Sequence, residues 1–288
     1  MNTLKNRYLS LDVFRGMDVA LMIIVNSPGN GDTSFGILKH AEWNGFTLTD
    51  LVFPTFLFVV GNAMSFSMKK YEAIGDGAFL KKVFKRFSII FLLGFLMYWF
   101  PFFENGALKP IAETRIFGVL QRIALCYLFA SLILHYFKTK TVVIFSILAL
   151  IGYNILLVAF GDLTLMGNAV IKLDEFLIGA NHMYHGNGGV TFDPEGLLST
   201  LPAIVNVIAG YLTGKFIQKN GQNFETIAKL LMVAAILVVA GFAWDLIMPF
   251  NKKLWSSSFV LLTSGIDLFI IATLIYLLDM RKPGKWTF

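Results

Sequence analysis

Residues 141–160 read TVVIFSILALIGYNILLVAF and contain no charged side chain. A helix of this length rises about 30 Å, which matches the hydrocarbon core of a bilayer. Similar apolar runs recur along the chain, and only 15% of its residues are charged, against about 25% in a typical soluble domain. The sequence therefore predicts an all-α, polytopic membrane helix bundle of about eight transmembrane helices, forming one domain over 1–288. We place the spans near 12–28, 48–68, 84–103, 116–136, 141–160, 197–217, 227–248 and 258–278.

The basic residues predict how the bundle is oriented. Loops on the N-terminal side of the predicted spans hold 17 lysines and arginines, and loops on the other side hold 6. By the positive-inside rule the N-terminus is cytoplasmic, and the loops near 29–47, 104–115, 161–196 and 249–257 are extracytoplasmic. Because the charges of the +6 chain follow this topology, we expect membrane lipid as a partner and not nucleic acid. The single cysteine, Cys126, lies in an apolar run and excludes a disulfide framework within the chain.

His40 and Asp50 are the first candidates for chemistry. An imidazole can take a proton from a nucleophile near neutral pH, and a carboxylate can orient the ring. His40 is also readable as a surface histidine at the membrane interface. Asp50 opens the second predicted span, where a carboxylate is a good helix cap. Spacing alone leaves these alternatives open.

Other polar residues lie within or between the predicted spans. Gln121 and Arg122 fall about six residues inside the fourth span, and a charge there either lines a cavity or snorkels outward. Asp267 lies in the middle of the eighth span, where a carboxyl is protonated, paired or exposed to a polar cavity. His182 and His185 form an H-x-x-H without a defined third ligand, so we predict no metal site. Outer aromatic residues such as Trp43, Tyr184 and Trp255 are consistent with sugar stacking or with an interfacial belt.

Several segments together point to a specific family. Seven segments follow one another between residues 10 and 261: SLDVFRG, VN at 25–26, KHAEWNG, TLTDLVFPTFLFVVG, RIFGVLQRIALCY, HMYHGNGGVTFDPEGLLSTLPAI and PFNKKLWSSSFVL. In this order the chain resembles the heparan-α-glucosaminide N-acetyltransferase family. Its members are membrane enzymes that acetylate terminal glucosamine with acetyl-CoA. Phe117 stands where a proline is expected, and Asp267 belongs to no motif of the family.

The resemblance implies an acetyltransferase site at the outer face. His40 matches the active-site histidine, and Asp50 and Asn26 match polar residues around it, Asp50 to orient the ring and Asn26 to donate to the oxyanion. For acetyl-CoA, the only cofactor expected, the predicted contacts are Arg15, Arg115, Gln121, Arg122, Lys253, Trp255 and Ser256. For the aminosugar or glycan acceptor, they are Trp43, Asn44, His182, Tyr184, Asp193 and Glu195. The acyl group of cytosolic acetyl-CoA would reach an amine or hydroxyl outside the cytoplasm, by direct transfer or through an acetyl-histidine.

The resemblance also raises expectations about the chain as a whole. Family members continue into further membrane helices beyond RKPGKWTF, and the animal enzyme carries a large N-terminal lumenal domain. We therefore expect a bacterial member located in the inner membrane, lacking C-terminal helices of the family, and we consider a homodimer. The alternative function is a proton-coupled or small-solute transporter, motivated by Arg122 and Asp267. A third possible function is that of a membrane scaffold without chemistry, in which the buried charges only pair with one another.

Overall fold

The computed structural model describes residues 8–27, 29, 35–70, 75–104, 106–186 and 189–281. Within these residues the protein has nine α-helices and one short hairpin. The helices are α1 Leu9–Asn26, α2 Leu48–Ser67, α3 Asp76–Trp99, α4 Val119–Tyr136, α5 Thr139–Phe160, α6 Ala169–Ile178, α7 Leu197–Asn220, α8 Phe224–Asp245 and α9 Ser257–Leu274, and a π-helical segment, Ile275–Met280, continues α9. The antiparallel hairpin pairs β1, Phe103–Glu104, with β2, Ala107–Leu108. The predicted all-α bundle is confirmed.

Each predicted span corresponds to a long helix, with shifted ends. Six of the described helices are long and apolar enough to cross a membrane: α2, α4, α5, α7, α8, and α9 with its π-helical continuation. The other two long helices are more highly charged. Helix α1 carries Asp12, Arg15 and Asp18, and α3 carries four basic residues in its first half. Helix α3 also begins at Asp76 and not near 84, because those basic residues continue the helix beyond the apolar segment.

Helices α2 and α7 form the centre of the bundle, and small residues allow them to touch. A Cβ on Gly61 would lie 1.8 Å from the Val207 carbonyl oxygen, and one on Gly210 would lie 1.9 Å from the Phe58 carbonyl oxygen. Close backbone approach through small residues is a common way for helices to pack within a bilayer. Consistently, 78% of the apolar stretch of α2 is buried, against 28% in α5 and α8.

The four loops predicted to be extracytoplasmic meet at one end of the bundle. The Gly45 amide donates to the Phe250 carbonyl at 2.8 Å, and the Trp43 indole donates to the Leu163 carbonyl at 2.8 Å. The Ile116 amide donates to the His182 carbonyl at 3.0 Å. These contacts join 29–47 to 249–257 and to 161–196, and they join 161–196 to the start of α4.

At the opposite end of the bundle, the start of α1 contacts the segment that follows α9, and α7 contacts the start of α5. Ser10 at the start of α1 bonds the Asp279 carboxylate through its amide at 3.4 Å, and Lys215 bonds the Thr139 hydroxyl at 3.2 Å. The sorting of loops into two ends therefore agrees with the charge count. Which end is cytoplasmic stays a prediction, and Lys5, Arg7, Lys282 and Lys285 lie outside the described residues.

Candidate active site

His40 and Asp50 are in direct contact at the start of α2. His40 Nδ1 lies 2.7 Å from Asp50 Oδ1. The other carboxylate oxygen, Oδ2, accepts from the Ala41 amide and from the Thr47 amide, both at 3.1 Å. Thr47 is the N-cap of α2, so Asp50 completes a capping box. Asp50 is therefore both a helix cap and the partner of the imidazole.

This contact decides which ring nitrogen is free. An ionised carboxylate only accepts hydrogen bonds, so Nδ1 of neutral His40 carries the hydrogen and donates it to Asp50. Nε2 then keeps its lone pair and can accept a proton. The His40 side chain is half exposed, whereas Asp50 is buried. The arrangement is that of an oriented base at an open surface.

Lys252 approaches the same imidazole from the turn between α8 and α9. Its Nζ lies 3.3 Å from His40 Nε2, 3.1 Å from Nδ1 and 4.0 Å from Asp50 Oδ1. The nearly equal distances to the two ring nitrogens place the ammonium over the face of the imidazole and not in line with the Nε2 lone pair. Burial lowers the pKa of Lys252, and the charges of Asp50 and Glu195 act in the opposite direction.

The turn that carries Lys252 is held by a polar network. The Asn251 amide donates to the Ser256 hydroxyl at 3.0 Å, and Asn251 Nδ2 donates to Asn44 Oδ1 at 3.1 Å. Trp255 is buried with a left-handed φ of 54°, and its indole donates to Asn206 Oδ1 at 3.0 Å. Since a bulky residue rarely adopts positive φ, these bonds fix an otherwise unfavourable backbone.

The DPEG segment, residues 193–196, lies across the site and is fixed by Arg115. The guanidinium binds Asp193 through Nε at 3.0 Å and Nη2 at 2.7 Å, and Nη2 also lies 2.7 Å from Glu195 Oε2. Burial raises the pKa of Asp193, and the hydrogen bonds and charge of Arg115 oppose this shift. The Arg115 guanidinium also lies over the rings of Tyr98 and Tyr184.

These segments enclose a pocket of about 150 Å³. It is lined by His40, Ala41, Trp43, Asp50, Pro194, Glu195, Lys252, Lys253 and Trp255. A neighbouring pocket of about 290 Å³ shares Pro194 and Lys253 with the first and includes Tyr184. Residues from three of the four clustered loops thus surround the oriented base.

Arg122 and Gln121 lie in the first turn of α4, since that helix begins at Val119 and not near 116. Both are fully buried. Arg122 Nη2 donates to the Gly196 carbonyl at 3.1 Å and to the Ser199 hydroxyl, and its guanidinium lies 4.9 Å from the centre of the Trp255 ring. Its Nε and Nη1, and both polar atoms of the Gln121 amide, have no hydrogen-bond partner among the described residues.

Comparison with known proteins identifies a family that matches this chain. The family model described as "Heparan-alpha-glucosaminide N-acetyltransferase, catalytic" matches residues 7–248. The chain belongs to this family. The matched region contains His40, Asp50, Arg115, Arg122 and the DPEG segment, and it ends before the turn that carries Lys252.

Two proteins named heparan-alpha-glucosaminide N-acetyltransferase are similar over the whole chain. The mouse protein is 29% identical across 98% of this chain and 50% of its own length. The human protein is 28% identical across 100% of this chain and 51% of its own length. The chain therefore spans about half the length of the curated relatives it matches.

Within this N-acetyltransferase family member, the structure gathers most of the residues singled out from the sequence. Six of them line the same pocket: His40, Asp50, Trp43, Glu195, Lys253 and Trp255. Asn44 and Ser256 contact the adjacent turn through Asn251. Lys253 donates to the Glu42 carbonyl at 2.7 Å, and His182 bonds the Thr114 carbonyl through Nδ1 at 2.8 Å. Among the described residues, no group of three His, Cys, Asp or Glu side chains is arranged to hold a metal ion.

Asn26 and Arg15 lie away from this pocket and contact none of its lining residues through a described hydrogen bond or ion pair. Asn26 is exposed at the end of α1, and its amide donates to the Met22 carbonyl at 2.9 Å. Arg15 is half exposed and lies 3.9 Å from Asp12 on the same helix. The resemblance had grouped Asn26 with the site, whereas Arg15 was a predicted contact to acetyl-CoA near the cytoplasmic end of α1. Conversely, Lys252 was counted only as a loop charge, although the paired lysines of PFNKKLW could have suggested it.

Proposed function

We propose that the protein is a transmembrane acetyltransferase that moves an acetyl group from acetyl-CoA to an amine or hydroxyl of a glucosamine-like sugar. The observation that carries the proposal is the Asp50–His40 pair, 2.7 Å apart, in the lining of a pocket at the loop-rich end of the bundle. Family membership supports acyl transfer, and the oriented imidazole supplies the base that such chemistry needs.

His40 Nε2 is the atom through which the proton passes. The acceptor nitrogen or oxygen attacks the thioester carbonyl while Nε2 takes its proton. The tetrahedral intermediate then expels the CoA sulfur, which receives that proton from the imidazolium, so the base is regenerated. Asp50 holds Nδ1 and stabilises the positive ring between the two steps. An acetyl-histidine route uses the same nitrogen as nucleophile.

Lys252 is the cation placed to stabilise the intermediate. Its Nζ lies 3.3 Å from Nε2. An acceptor atom that binds at Nε2 and attacks the thioester becomes bonded to the carbonyl carbon. The oxygen on that carbon then lies within reach of the ammonium. A charge at a fixed distance from a developing oxyanion lowers the barrier strongly in a partly buried site. We assign to Lys252 the role that the resemblance suggested for Asn26.

The partnerless buried groups fit an elongated polar donor. Arg122 Nε and Nη1 and the Gln121 amide need hydrogen-bond partners, and the pantetheine arm of CoA offers carbonyl and amide groups. Arg122 contacts Gly196 and Trp255, which adjoin the His40 pocket. With the N-terminus on the cytoplasmic side, acetyl-CoA enters from the cytoplasm and the sugar binds at the outer face beside Trp43 and Tyr184.

Labelled acetyl-CoA and a panel of aminosugars test the proposal on purified protein in detergent. His40→Ala is expected to lower kcat by about 10²–10⁴-fold while CoA still raises the melting temperature. His185→Ala, an exposed histidine in the long loop, is the matched control and should behave like the unsubstituted protein. Transfer that survives in His40→Ala would overturn the mechanism. Absence of both CoA-dependent stabilisation and transfer in the unsubstituted protein would overturn the function.

A further inference from the structure

A second polar site lies within the membrane-spanning part of the bundle, where α1, α2 and α9 meet. Asp18 and Thr55 line a small cavity of about 30 Å³ whose other walls are apolar, including Phe14, Leu51 and Ile270. Thr55 Oγ1 donates to Asp267 Oδ1 at 2.6 Å. The hydroxyl therefore links α2 to α9, which carries Asp267, while Asp18 approaches the same place from α1.

Both carboxyl groups are buried and lack partners for most of their oxygen atoms. Asp18 is 2% exposed and Asp267 is fully buried. Both oxygens of Asp18 and Oδ2 of Asp267 have no hydrogen-bond partner among the described residues. Neither carboxyl forms an ion pair with a described lysine, arginine or histidine. Two unpaired carboxylates in an apolar setting would be strongly unfavourable.

We propose that Asp18, Thr55 and Asp267 form an intramembrane proton-binding site that is separate from the acetyl-transfer pocket. A proton supplies the positive charge and the hydrogen-bond donor that the carboxyl oxygens lack. The cavity has room for one water molecule, which can bridge Asp18 to the Thr55–Asp267 pair. Thr55 lies five residues after Asp50, about 8 Å further along α2, so the two sites share one helix.

The other charged groups of these helices already have partners elsewhere. On α1, Asp12 lies 3.9 Å from Arg15 and both are partly exposed. On α2, Asp50 is held by His40, Ala41 and Thr47. In the π-helical segment after α9, Asp279 bonds Ser10. Proton uptake at the cavity is therefore assigned to Asp18 and Asp267.

Infrared difference spectroscopy of the reconstituted protein between acidic and alkaline pH tests the proposal. A protonated carboxyl stretch is expected to persist at neutral pH in the unsubstituted protein and to be lost or shifted in Asp18→Asn and in Asp267→Asn. The control Asp162→Asn removes an exposed loop carboxylate and should leave this band unchanged. A neutral-pH spectrum of the unsubstituted protein without any protonated carboxyl overturns the proposal even if a variant fails to fold.

Thermal unfolding provides a second readout. A proton that the folded protein retains and the unfolded chain releases makes stability fall as pH rises, and both Asn variants should lose that slope. The same titration is run with sodium or choline chloride at equal ionic strength. Stabilisation by sodium that depends on Asp18 and Asp267 would overturn the proton assignment in favour of a metal ion. Neither experiment measures acetyl transfer. A negative result would therefore refute the proton-binding site without refuting the proposed acetyltransferase activity.

Discussion

Only one ring nitrogen of His40 is bound to a carboxylate, and this difference decides which nitrogen can act as a base. Asp50 takes the Nδ1 hydrogen, which leaves Nε2 beside the ammonium of Lys252. The ammonium lies over the face of the ring, so the Nε2 lone pair stays open to a ligand. In the proposed mechanism an acceptor binds at Nε2, and Lys252 donates to the carbonyl oxygen of the acetyl donor.

Substitution of Lys252 tests this assignment at the residue scale. Lys252→Met keeps all but the last atom of the side chain's length and removes the charge, and we expect kcat to fall by about 10²–10³-fold with a much smaller change in KM. Lys252→Arg keeps the charge and should recover part of the loss. Steady-state kinetics with acetyl-CoA and an aminosugar measure both constants. Lys172→Met, at an exposed lysine of α6, is the control, and an equal loss there would refute a specific role.

The contact between His40 and Asp50 is the local part of this centre and could be anticipated from the sequence. His40 and Asp50 are ten residues apart, so a loop running into a helix cap can bring them together locally. Lys252 is 212 residues from His40, and only the packing of the α8–α9 turn against the first loop creates the contact. A sequence pattern alone does not predict how far apart two such distant segments lie in the folded protein. For the same reason the motif resemblance did not reveal that Asn26 bonds its own helix.

At the scale of elements, the contact between α2 and α7 fixes the position of Asp50, which holds His40. Helix α2 carries Asp50 in its first turn, and α7 begins directly after the DPEG segment. Gly61 and Gly210 let the two backbones touch. Any change in this separation moves Asp50 relative to Glu195 across the pocket.

Gly210→Ala is predicted to weaken this contact. The added methyl would lie 1.9 Å from the Phe58 carbonyl, so the helices must separate, with an expected loss of about 1–3 kcal/mol in unfolding free energy. Thermal unfolding in detergent measures the loss. Gly152→Ala in α5 meets nothing within 4 Å and should be neutral or slightly stabilising. Equal behaviour of the two variants would contradict close packing at Gly210.

Helices were the most predictable elements, because continuous apolar runs specify them without reference to the rest of the chain. Their ends were less predictable. The basic start of α3 carries no apolar signal, so the predicted span began too late. Helix α6 within the 161–196 loop went unpredicted, because its ten residues are too short to stand out from an irregular segment.

At the scale of the whole molecule, the loops divide into two groups, and one group supplies most of the residues that line the candidate site. The charge count predicted the division, and the contacts among 29–47, 161–196 and 249–257 agree with it. Neither charge nor contact places a bilayer around the molecule. The cytoplasmic location of the N-terminus is therefore a prediction about orientation.

Single-cysteine labelling measures that orientation. Cys126 is the only cysteine and is buried, so it should give little background with a membrane-impermeant maleimide. Met166→Cys, in the 161–196 loop, should react in intact cells. Phe224→Cys, at the start of α8, should react only after the membrane is permeabilised. The reverse pattern would put His40 on the cytoplasmic side and exclude an external acceptor.

The capping box at Thr47 and Asp50 has a consequence for how the protein fails on heating. First turns of helices fray more easily than whole bundles unfold. When the first turn of α2 opens, Asp50 releases the Thr47 amide and the imidazole together, and the ring loses its fixed tautomer while the apolar core stays packed. Catalytic power would then vanish at a lower temperature than helical signal, and it would return on cooling without any refolding of the chain.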